Sequence, residues 1–233
     1  MGKVGMIERM ARKSSSIITF AGLFLALPVP VFYNLTIRPF LIADQTNLEL
    51  EIIIGLIVMW MLAIGVVLLT IRAENRGLHS IGFTWPSRKI IFQALGLGVV
   101  FSLAVPLLSL LTSTLLPSEE IGSIESATQI PWWLMLFSVL TAGVTEEILF
   151  RGYALERLFE WTGSKWFSSF ISLAFFTAVH ATGWNLNHIV GVVIPLGVVL
   201  IALYWWRRNV IMVMIVHTMI NLPLVFMALG RET

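Results

Sequence analysis

Three short motifs place polar side chains inside otherwise apolar stretches of the chain. The motifs are Glu146-Glu147-Ile148-Leu149-Phe150-Arg151, Phe176-Thr177-Ala178-Val179-His180 and His217-Thr218-Met219-Ile220-Asn221. An ionisable group within a membrane span is energetically costly, and by default it marks a functional site. Because buried polar groups need hydrogen-bond partners, we expect the three motifs to partner one another in a single site.

The first motif contains two adjacent carboxylates and one arginine. Glu147 and Arg151 are four residues apart, so they share a helical face on which they can pair. Glu146 lies about 100° away around an α-helix, which leaves it poorly placed for the same arginine. A carboxylate in an apolar setting without a cation becomes a stronger base, which suits a general base. The alternative is an ordinary ion pair, solvated at a helix end.

The second and third motifs each place two side chains on one helical face. Phe176 and His180 are four residues apart, and so are His217 and Asn221. For a single buried histidine, a hydrogen bond to the neighbouring backbone is the simpler explanation. Two histidines, an asparagine and an acid pair in one chain favour a shared polar site instead.

Composition excludes several classes of protein. Of the 233 residues, 58% are hydrophobic and only 12% are charged, and the mean hydropathy is +0.90. Too few charges remain to cover a water-facing surface or to keep a chain disordered. There is no cysteine, which excludes disulfides, thiolate metal sites and a cysteine nucleophile.

Seven stretches are apolar and long enough to approach the roughly 20 residues that cross a bilayer. They are Ile17–Leu35, Ile52–Ile71, Ile90–Leu115, Pro131–Phe150, Trp166–Ala181, Ile189–Trp206 and Val210–Leu229, and splitting the third or sixth would give an eighth. The first is long for a signal peptide, so we expect it to be a retained span. The sequence therefore predicts an all-α fold, a polytopic membrane bundle of about seven to eight transmembrane helices. We expect a single integral-membrane domain over residues 1–233, with the motifs in residues 130–225.

The distribution of basic residues predicts the orientation. With seven spans and a cytoplasmic N-terminus, every Lys and Arg except Arg38 and Arg231 lies on the cytoplasmic side. Basic residues near a membrane favour that side. The acidic loop with Glu119, Glu120 and Glu125 falls outside. The pattern thus favours both the span count and a cytoplasmic N-terminus.

Two other histidines are interpreted without a catalytic role. His188 lies near the outer interface beside Asn185 and Asn187, and we interpret it as structural. His79 falls in a cytoplasmic loop, where a solvated side chain is expected.

The motifs form one site only if their side chains meet at one depth. At 1.5 Å per residue, Glu146 lies towards the inner side and His180 nearer the outer side. We therefore expect the fourth helix to continue as a cytoplasmic or interfacial segment through Glu156. We also expect the fifth helix to start outside the hydrocarbon core or to tilt.

Other hydrolytic designs have sequence signatures that this chain lacks. There is no His-Glu-x-x-His and no Gly-x-Ser-x-Gly. The only aspartate is Asp44, in a loop, so an aspartyl dyad is excluded. Zinc held by Glu146, His180 and His217 is chemically reasonable, but we favour a reaction without a cofactor.

In this order and on successive late helices, the three motifs resemble those of the CPBP (ABI) family of intramembrane proteins. That family includes the CAAX prenyl proteases of the Rce1 type as well as bacterial bacteriocin-processing and self-immunity proteins. The resemblance covers roughly residues 130–225. Members often have a Thr-Gly turn before the last motif, where this chain has Arg207-Arg208-Asn209.

The resemblance implies a glutamate-dependent intramembrane endopeptidase. By position, Glu146 is the general base that activates water and His180 helps to hold that water. His217 and Asn221 donate to the oxyanion of the tetrahedral intermediate, which suits two donors on one helical face. Glu147 and Arg151 are expected to brace the site.

The expected partners are the lipid bilayer and a membrane-associated peptide or protein substrate, without nucleic acid. We expect a multi-pass protein of a prokaryotic plasma membrane, with a cavity that faces the cytoplasm. The alternatives are a metal-dependent protease, a non-catalytic binding or self-immunity protein of the same fold, and a small transporter. A transporter would carry charged groups along a path through both leaflets, whereas here they cluster late in the chain.

Overall fold

The computed structural model describes residues 16–42, 48–116 and 122–232. Over these ranges the protein is all-helical, without strands. The main helices are α1 Ser16–Phe40, α2 Leu48–Ala73, α3 Arg88–Leu115, α4 Trp132–Thr162, α5 Lys165–His180, α6 Leu186–Arg207 and α7 Val210–Glu232. A 3₁₀ turn, Leu78–Ile81, and a short helix, Ile124–Ala127, lie in the connections. The prediction of a helical membrane bundle is confirmed.

Some residues used in the sequence argument lie outside the described ranges. They are Lys3, Arg9, Arg12, Lys13, Asp44, Glu119 and Glu120.

Six of the seven helices are long and apolar enough to cross a membrane, within the described residues. The exception is α5, which has 16 residues and is therefore about 24 Å long, against a hydrocarbon core of about 30 Å. Helix α4 is longer than predicted, because it continues without a break to Thr162. Its expected continuation through Glu156 is confirmed. Neither α3 nor α6 is split, so no eighth span forms in the described chain.

Helix α4 lies at the centre of the bundle. In the most apolar 18-residue stretch of α4, 61% of the residues are buried, against 11% in the corresponding stretches of α2 and α3. It packs against α2, α5 and α7, and α7 packs in turn against α3. The outer helices present large apolar side chains to their surroundings, including Ile57, Met61, Leu103 and Leu107. This arrangement gives the motif-bearing α4 a protein environment and gives α2 and α3 a surface suited to lipid.

Two tight turns set the order of helices around the site. Gly163 ends α4 in the left-handed conformation, with φ 68°, and the hydroxyl of Ser164 then accepts from the backbone N–H of Phe167. Between α6 and α7, Arg208 takes φ 46°, and Asn209 Oδ1 accepts from the N–H of Met212 at 2.8 Å. The Arg208-Asn209 pair thus supplies both the left-handed residue and the cap, because asparagine is a favoured N-cap.

Two glycines allow α7 to approach its neighbours closely. A Cβ on Gly143 of α4 would collide with the hydroxyl of Thr218. A Cβ on Gly98 of α3 would lie 2.5 Å from the Cβ of Met219. Both contacts fall beside the His217 motif, so these glycines help to set the distance between α7 and the acid pair.

A buried ion pair fixes the C-terminal half of α4 to the connection after α2. Arg157 Nη2 lies 2.5 Å from Glu74 Oε2, and both side chains are almost fully buried. The hydroxyl of Tyr153 donates to Glu74 Oε1 at 2.8 Å, and Arg157 Nη1 donates to the carbonyl of Ser80 at 3.2 Å. The exposed side chain of His79 in the same connection agrees with its expected solvation.

Candidate active site

Glu147 is the fully buried hub of the site. Its Oε1 accepts from Arg151 Nη1 at 3.0 Å, as the spacing of four residues predicts. The same oxygen lies 2.7 Å from Nδ1 of His217, 70 residues further along the chain. One carboxylate oxygen therefore joins the first motif to the third.

The contact with Glu147 defines the proton position on His217. An ionised carboxylate only accepts hydrogen bonds, so Nδ1 of His217 carries the hydrogen and donates it. The neutral ring then has a lone pair at Nε2, and Nε2 becomes a donor only in the imidazolium form.

Glu146 is buried but does not form an ion pair with Arg151, which pairs with Glu147 instead. Its Oε2 lies 3.8 Å from Nε2 of His180, which is beyond direct hydrogen-bond distance. That oxygen is buried and has no hydrogen-bond partner within the described part of the chain. The two carboxylates of the motif thus differ in environment, since one is paired and one faces an imidazole.

His180 is oriented by its own helix. Its Nδ1 lies 2.8 Å from the carbonyl of Phe176, and because a carbonyl can only accept, Nδ1 carries the hydrogen. In the neutral ring the remaining lone pair is at Nε2, the atom nearest Glu146. The backbone contact that the single-histidine alternative expects is present, but it uses only one ring nitrogen and leaves the other towards the acid.

Phe176 forms the apolar wall between the charged groups. The guanidinium carbon of Arg151 lies 4.1 Å from the centre of its ring, and the rings of His180 and His217 lie 4.5 and 6.4 Å away. A cation over an aromatic face is attracted to the ring. The second motif therefore contributes packing through Phe176 as well as a polar group through His180.

Asn221 lies one turn after His217 on α7 and is half-buried. Its side chain makes no hydrogen bond to any other described residue. Two residues later, Pro223 interrupts the hydrogen-bond ladder of α7. The amide of Asn221 is therefore available to a bound molecule and donates in every protonation state.

The backbone around the acid pair differs from the α-helix that the sequence argument assumed. Residues Ala142–Ala154 form a π-helix, with hydrogen bonds from residue i to i+5. The α-helical offset of 100° between Glu146 and Glu147 therefore does not describe this segment, although the carboxylates still have different partners. Regions of π-helix are rare and occur frequently at functional sites.

Several buried polar atoms of the site have no partner among the described residues. Besides Glu146 Oε2, they are Glu147 Oε2 and the Nε and Nη2 of Arg151. Buried polar groups are normally satisfied by protein or by ordered water. The cluster therefore has unsatisfied donors and acceptors that ordered water can fill.

The structure brings Glu146 towards His180 on α5 and joins Glu147 to Arg151 and to His217 on α7. Asn221 lies one helical turn after His217, without a hydrogen bond to the other predicted residues.

The sequence did not predict the specific hydrogen bond from His217 to Glu147. The two residues lie on separate helices, so no regular spacing along the chain indicates that they meet. The sequence also did not predict the buried cluster of Glu74, Tyr153 and Arg157. The one feature of the sequence that could have indicated this cluster is that Tyr153 and Arg157 follow Arg151 by two and six residues, in the same helical segment.

A metal site would require several His, Asp or Glu side chains that converge on one point. Within residues 16–42, 48–116 and 122–232, no three His, Asp or Glu side chains are placed to hold a metal ion. We therefore derive no step through zinc.

Comparison with known families agrees with the motif assignment. Residues 128–223, less than half of the chain, match the family model described as Type II CAAX prenyl endopeptidase Rce1-like. Neither the curated proteins nor the solved structures provide a match. The matched segment contains all three motifs, so the resemblance seen in the sequence is confirmed there. Together with six apolar helices, it supports an integral membrane protein of protease type.

Proposed function

We propose that this protein is an intramembrane endopeptidase that hydrolyses peptide bonds with a water activated by Glu146. The observation that carries the proposal is the contrast between two adjacent carboxylates. Glu147 is engaged by Arg151 and His217, whereas Glu146 keeps a buried, unpartnered oxygen 3.8 Å from His180 within the described chain. A general base needs that kind of freedom and a position beside the reacting water.

The reacting water lies between Glu146 and His180 in this mechanism. It donates one hydrogen to the Glu146 carboxylate and the other to Nε2 of His180, so an oxygen lone pair faces the substrate. Glu146 takes the first proton as the water oxygen attacks the scissile carbonyl carbon. The protonated Glu146 then gives that proton to the amide nitrogen as the C–N bond breaks, which leaves a carboxylic acid and an amine.

Developing negative charge on the carbonyl oxygen is stabilised from α7. Asn221 donates through its amide, and the imidazolium form of His217 donates through Nε2, since Nδ1 donates to Glu147. Preorganised donors of this kind are worth about 10²–10³ in rate each. In this assignment Glu147 and Arg151 position His217 and do not touch the substrate.

The proposed substrate is a peptide or protein segment at or within the bilayer. The family description names prenyl endopeptidases, and a prenylated C-terminus is one substrate of this class. We further propose a single multi-pass domain in a prokaryotic plasma membrane with a cytoplasmic N-terminus, following the distribution of basic residues. The alternative is a non-catalytic binding protein that uses the same polar cluster as a structural core.

The decisive experiment uses full-length protein in lipid nanodiscs and a randomised library of end-blocked decapeptides. Mass spectrometry in H₂¹⁸O detects new carboxyl termini that carry the label. We expect cleavage by the wild type, loss of at least 10²-fold in Glu146→Gln, and normal cleavage by Glu160→Gln, which changes a half-exposed carboxylate on the same helix.

Each outcome has a defined meaning. Labelled products that persist in Glu146→Gln would contradict the mechanism. Absence of products from the wild type would favour the binding alternative. Loss of cleavage on addition of a chelator would favour the metal-dependent version.

A further inference from the structure

A large cavity lies at the end of the bundle away from the Glu74–Arg157 pair. It measures about 880 Å³ and is bounded by α3, the short helix Ile124–Ala127, the start of α6 and the last turns of α7. Ligand pockets in proteins measure about 300–1,000 Å³. The positive-inside distribution predicts that this end is extracytoplasmic.

The lining of the cavity combines neutral polar groups with apolar ones. The neutral polar side chains are Ser109, Ser113, Ser123, Gln129, Asn185 and Asn187. Glu125 is the one charged side chain among the described lining residues, which include no Lys or Arg. Hydroxyl and amide groups donate and accept hydrogen bonds, so this wall suits a ligand that carries both types of group without net charge.

Asn187 provides a second, independent indication of a ligand. Its side chain is 91% buried, because its exposed fraction is 9%, and it forms part of the cavity wall. Its Oδ1 has no hydrogen-bond partner within the described residues. Rotation of this amide towards the cavity would satisfy a backbone N–H or C=O of a bound peptide, which otherwise has no partner in an apolar setting.

The cavity lies close to the motif residues. Met227 in its wall is six residues after Asn221, which corresponds to about 9 Å along α7. On the other side, the backbone N–H of Trp184 donates to the carbonyl of His180 at 3.1 Å. The ring of Trp184 stacks on the lining residue His188 at 3.8 Å. The turn after His180 therefore joins the second motif directly to the cavity wall.

We infer that this cavity is the binding cleft for an extended peptide, with Asn187 as a group that hydrogen-bonds the peptide backbone. The inference rests on the proposed peptidase function and adds the place from which the substrate approaches Glu146. An extended peptide presents backbone donors and acceptors alternating with side chains, which matches the mixed lining. A phospholipid phosphate fits less well, since the described lining residues include a carboxylate and no Lys or Arg.

The test separates binding from cleavage. Full-length Glu146→Gln protein in nanodiscs is incubated with the randomised end-blocked decapeptides, and the peptides retained after size-exclusion chromatography are quantified by mass spectrometry. We expect retention to fall at least tenfold when Ser109→Trp fills the cavity and when Asn187→Ala removes the amide. Leu107→Trp, on the lipid-facing side of the same helix, should leave retention unchanged. Thermal unfolding of each variant checks that it is folded.

The failures of the two proposals are distinguishable. Equal retention in Ser109→Trp, or no retention by the Glu146→Gln protein, would overturn the cleft assignment even if the wild type cleaves peptides. Retention that depends on the cavity, in a protein that never cleaves, would support the cleft and contradict the peptidase. Loss of co-purified phospholipid in Ser109→Trp with unchanged peptide retention would assign the cavity to lipid.

Discussion

His217 donates a hydrogen bond from Nδ1 to Oε1 of Glu147 over 2.7 Å, and both side chains are buried. The same Glu147 oxygen accepts from Arg151. One acidic oxygen thus compensates a guanidinium on its own helix and orients an imidazole on another. Glu147 is therefore occupied by two partners, whereas Glu146, the proposed base, has a buried oxygen without a partner among the described residues.

The adjacent carboxylates are predicted to lose different amounts of stability on the same substitution. Glu147→Gln leaves Arg151 buried without a counter-charge, which typically costs about 3–5 kcal/mol. Glu146→Gln removes no ion pair with a permanent cation, so we expect a much smaller loss of stability together with the loss of catalysis. Unfolding of both variants in the same detergent measures the difference. Equal losses would contradict the assignment, and Arg151→Met combined with Glu147→Gln should recover part of the stability.

Asn221→Leu is expected to reduce kcat with little change in stability. The amide makes no bond to another described residue, so its proposed role is confined to the transition state. Loss of one oxyanion donor reduces kcat by about 10²–10³. Steady-state kinetics on a peptide identified from the library measures kcat and KM separately.

Asn209→Ala is the matched control for that substitution. Asn209 caps α7 through Met212, and loss of such a cap costs about 0.5–2 kcal/mol of stability. We expect unchanged kcat per folded molecule. A stability loss in Asn221→Leu as large as that of Asn209→Ala would argue for a structural role of Asn221.

Gly143→Ala should impair the site by separating α4 from α7. The added Cβ would meet the hydroxyl of Thr218 and would lie 3.2 Å from the Thr218 backbone nitrogen. The displacement would lengthen the contact between Glu147 and His217, so we expect lower kcat and lower stability. Gly65→Ala is the control, because a Cβ there meets nothing within 4 Å. Full activity in Gly143→Ala would show that the helix spacing is not critical.

Two arginine–glutamate pairs near one another test the importance of burial. Glu74→Gln breaks a pair with Arg157 that is almost fully buried, and we expect a loss of about 3–5 kcal/mol. Glu160→Gln breaks a pair with Arg76 whose side chains are 37% and 38% exposed, together with a longer contact of 3.5 Å to Arg157. An exposed pair is typically worth less than about 1 kcal/mol. Denaturation of both variants gives the comparison. Similar losses of stability would contradict the structural role assigned to the buried ion pair of Glu74 and Arg157.

The helices of the bundle could be predicted from the sequence because each one depends on a local pattern of apolar residues. An apolar stretch of about 20 residues has to be a helix in a membrane, since each backbone group must be satisfied internally. The pair of Glu147 with Arg151 follows from a spacing of four residues. The extension of α4 past Glu156 followed from the requirement that the motifs meet, and the structure confirms it.

Other features depended on contacts between distant parts of the chain. No pattern in the sequence predicts that Ala142–Ala154 form a π-helix instead of an α-helix. By contrast, the short length of α5 was predicted, since the fifth apolar stretch, Trp166–Ala181, is 16 residues long, like the helix Lys165–His180. The cavity beside Asn187 arises from α3, α6 and α7 together, and none of these segments carries a signal for it alone.

The amino-acid sequence by itself determined which side chains are available for chemistry and that they are buried in a membrane bundle. The spacing of four residues already indicated that Glu147 pairs with Arg151 and that Glu146 does not. Only the tertiary structure decided that His217 reaches Glu147 across 70 residues and that Glu146 faces His180. Side-chain identity and helical spacing are encoded locally. The division of roles between two adjacent carboxylates depends on which partner each one meets once α4, α5 and α7 are packed together.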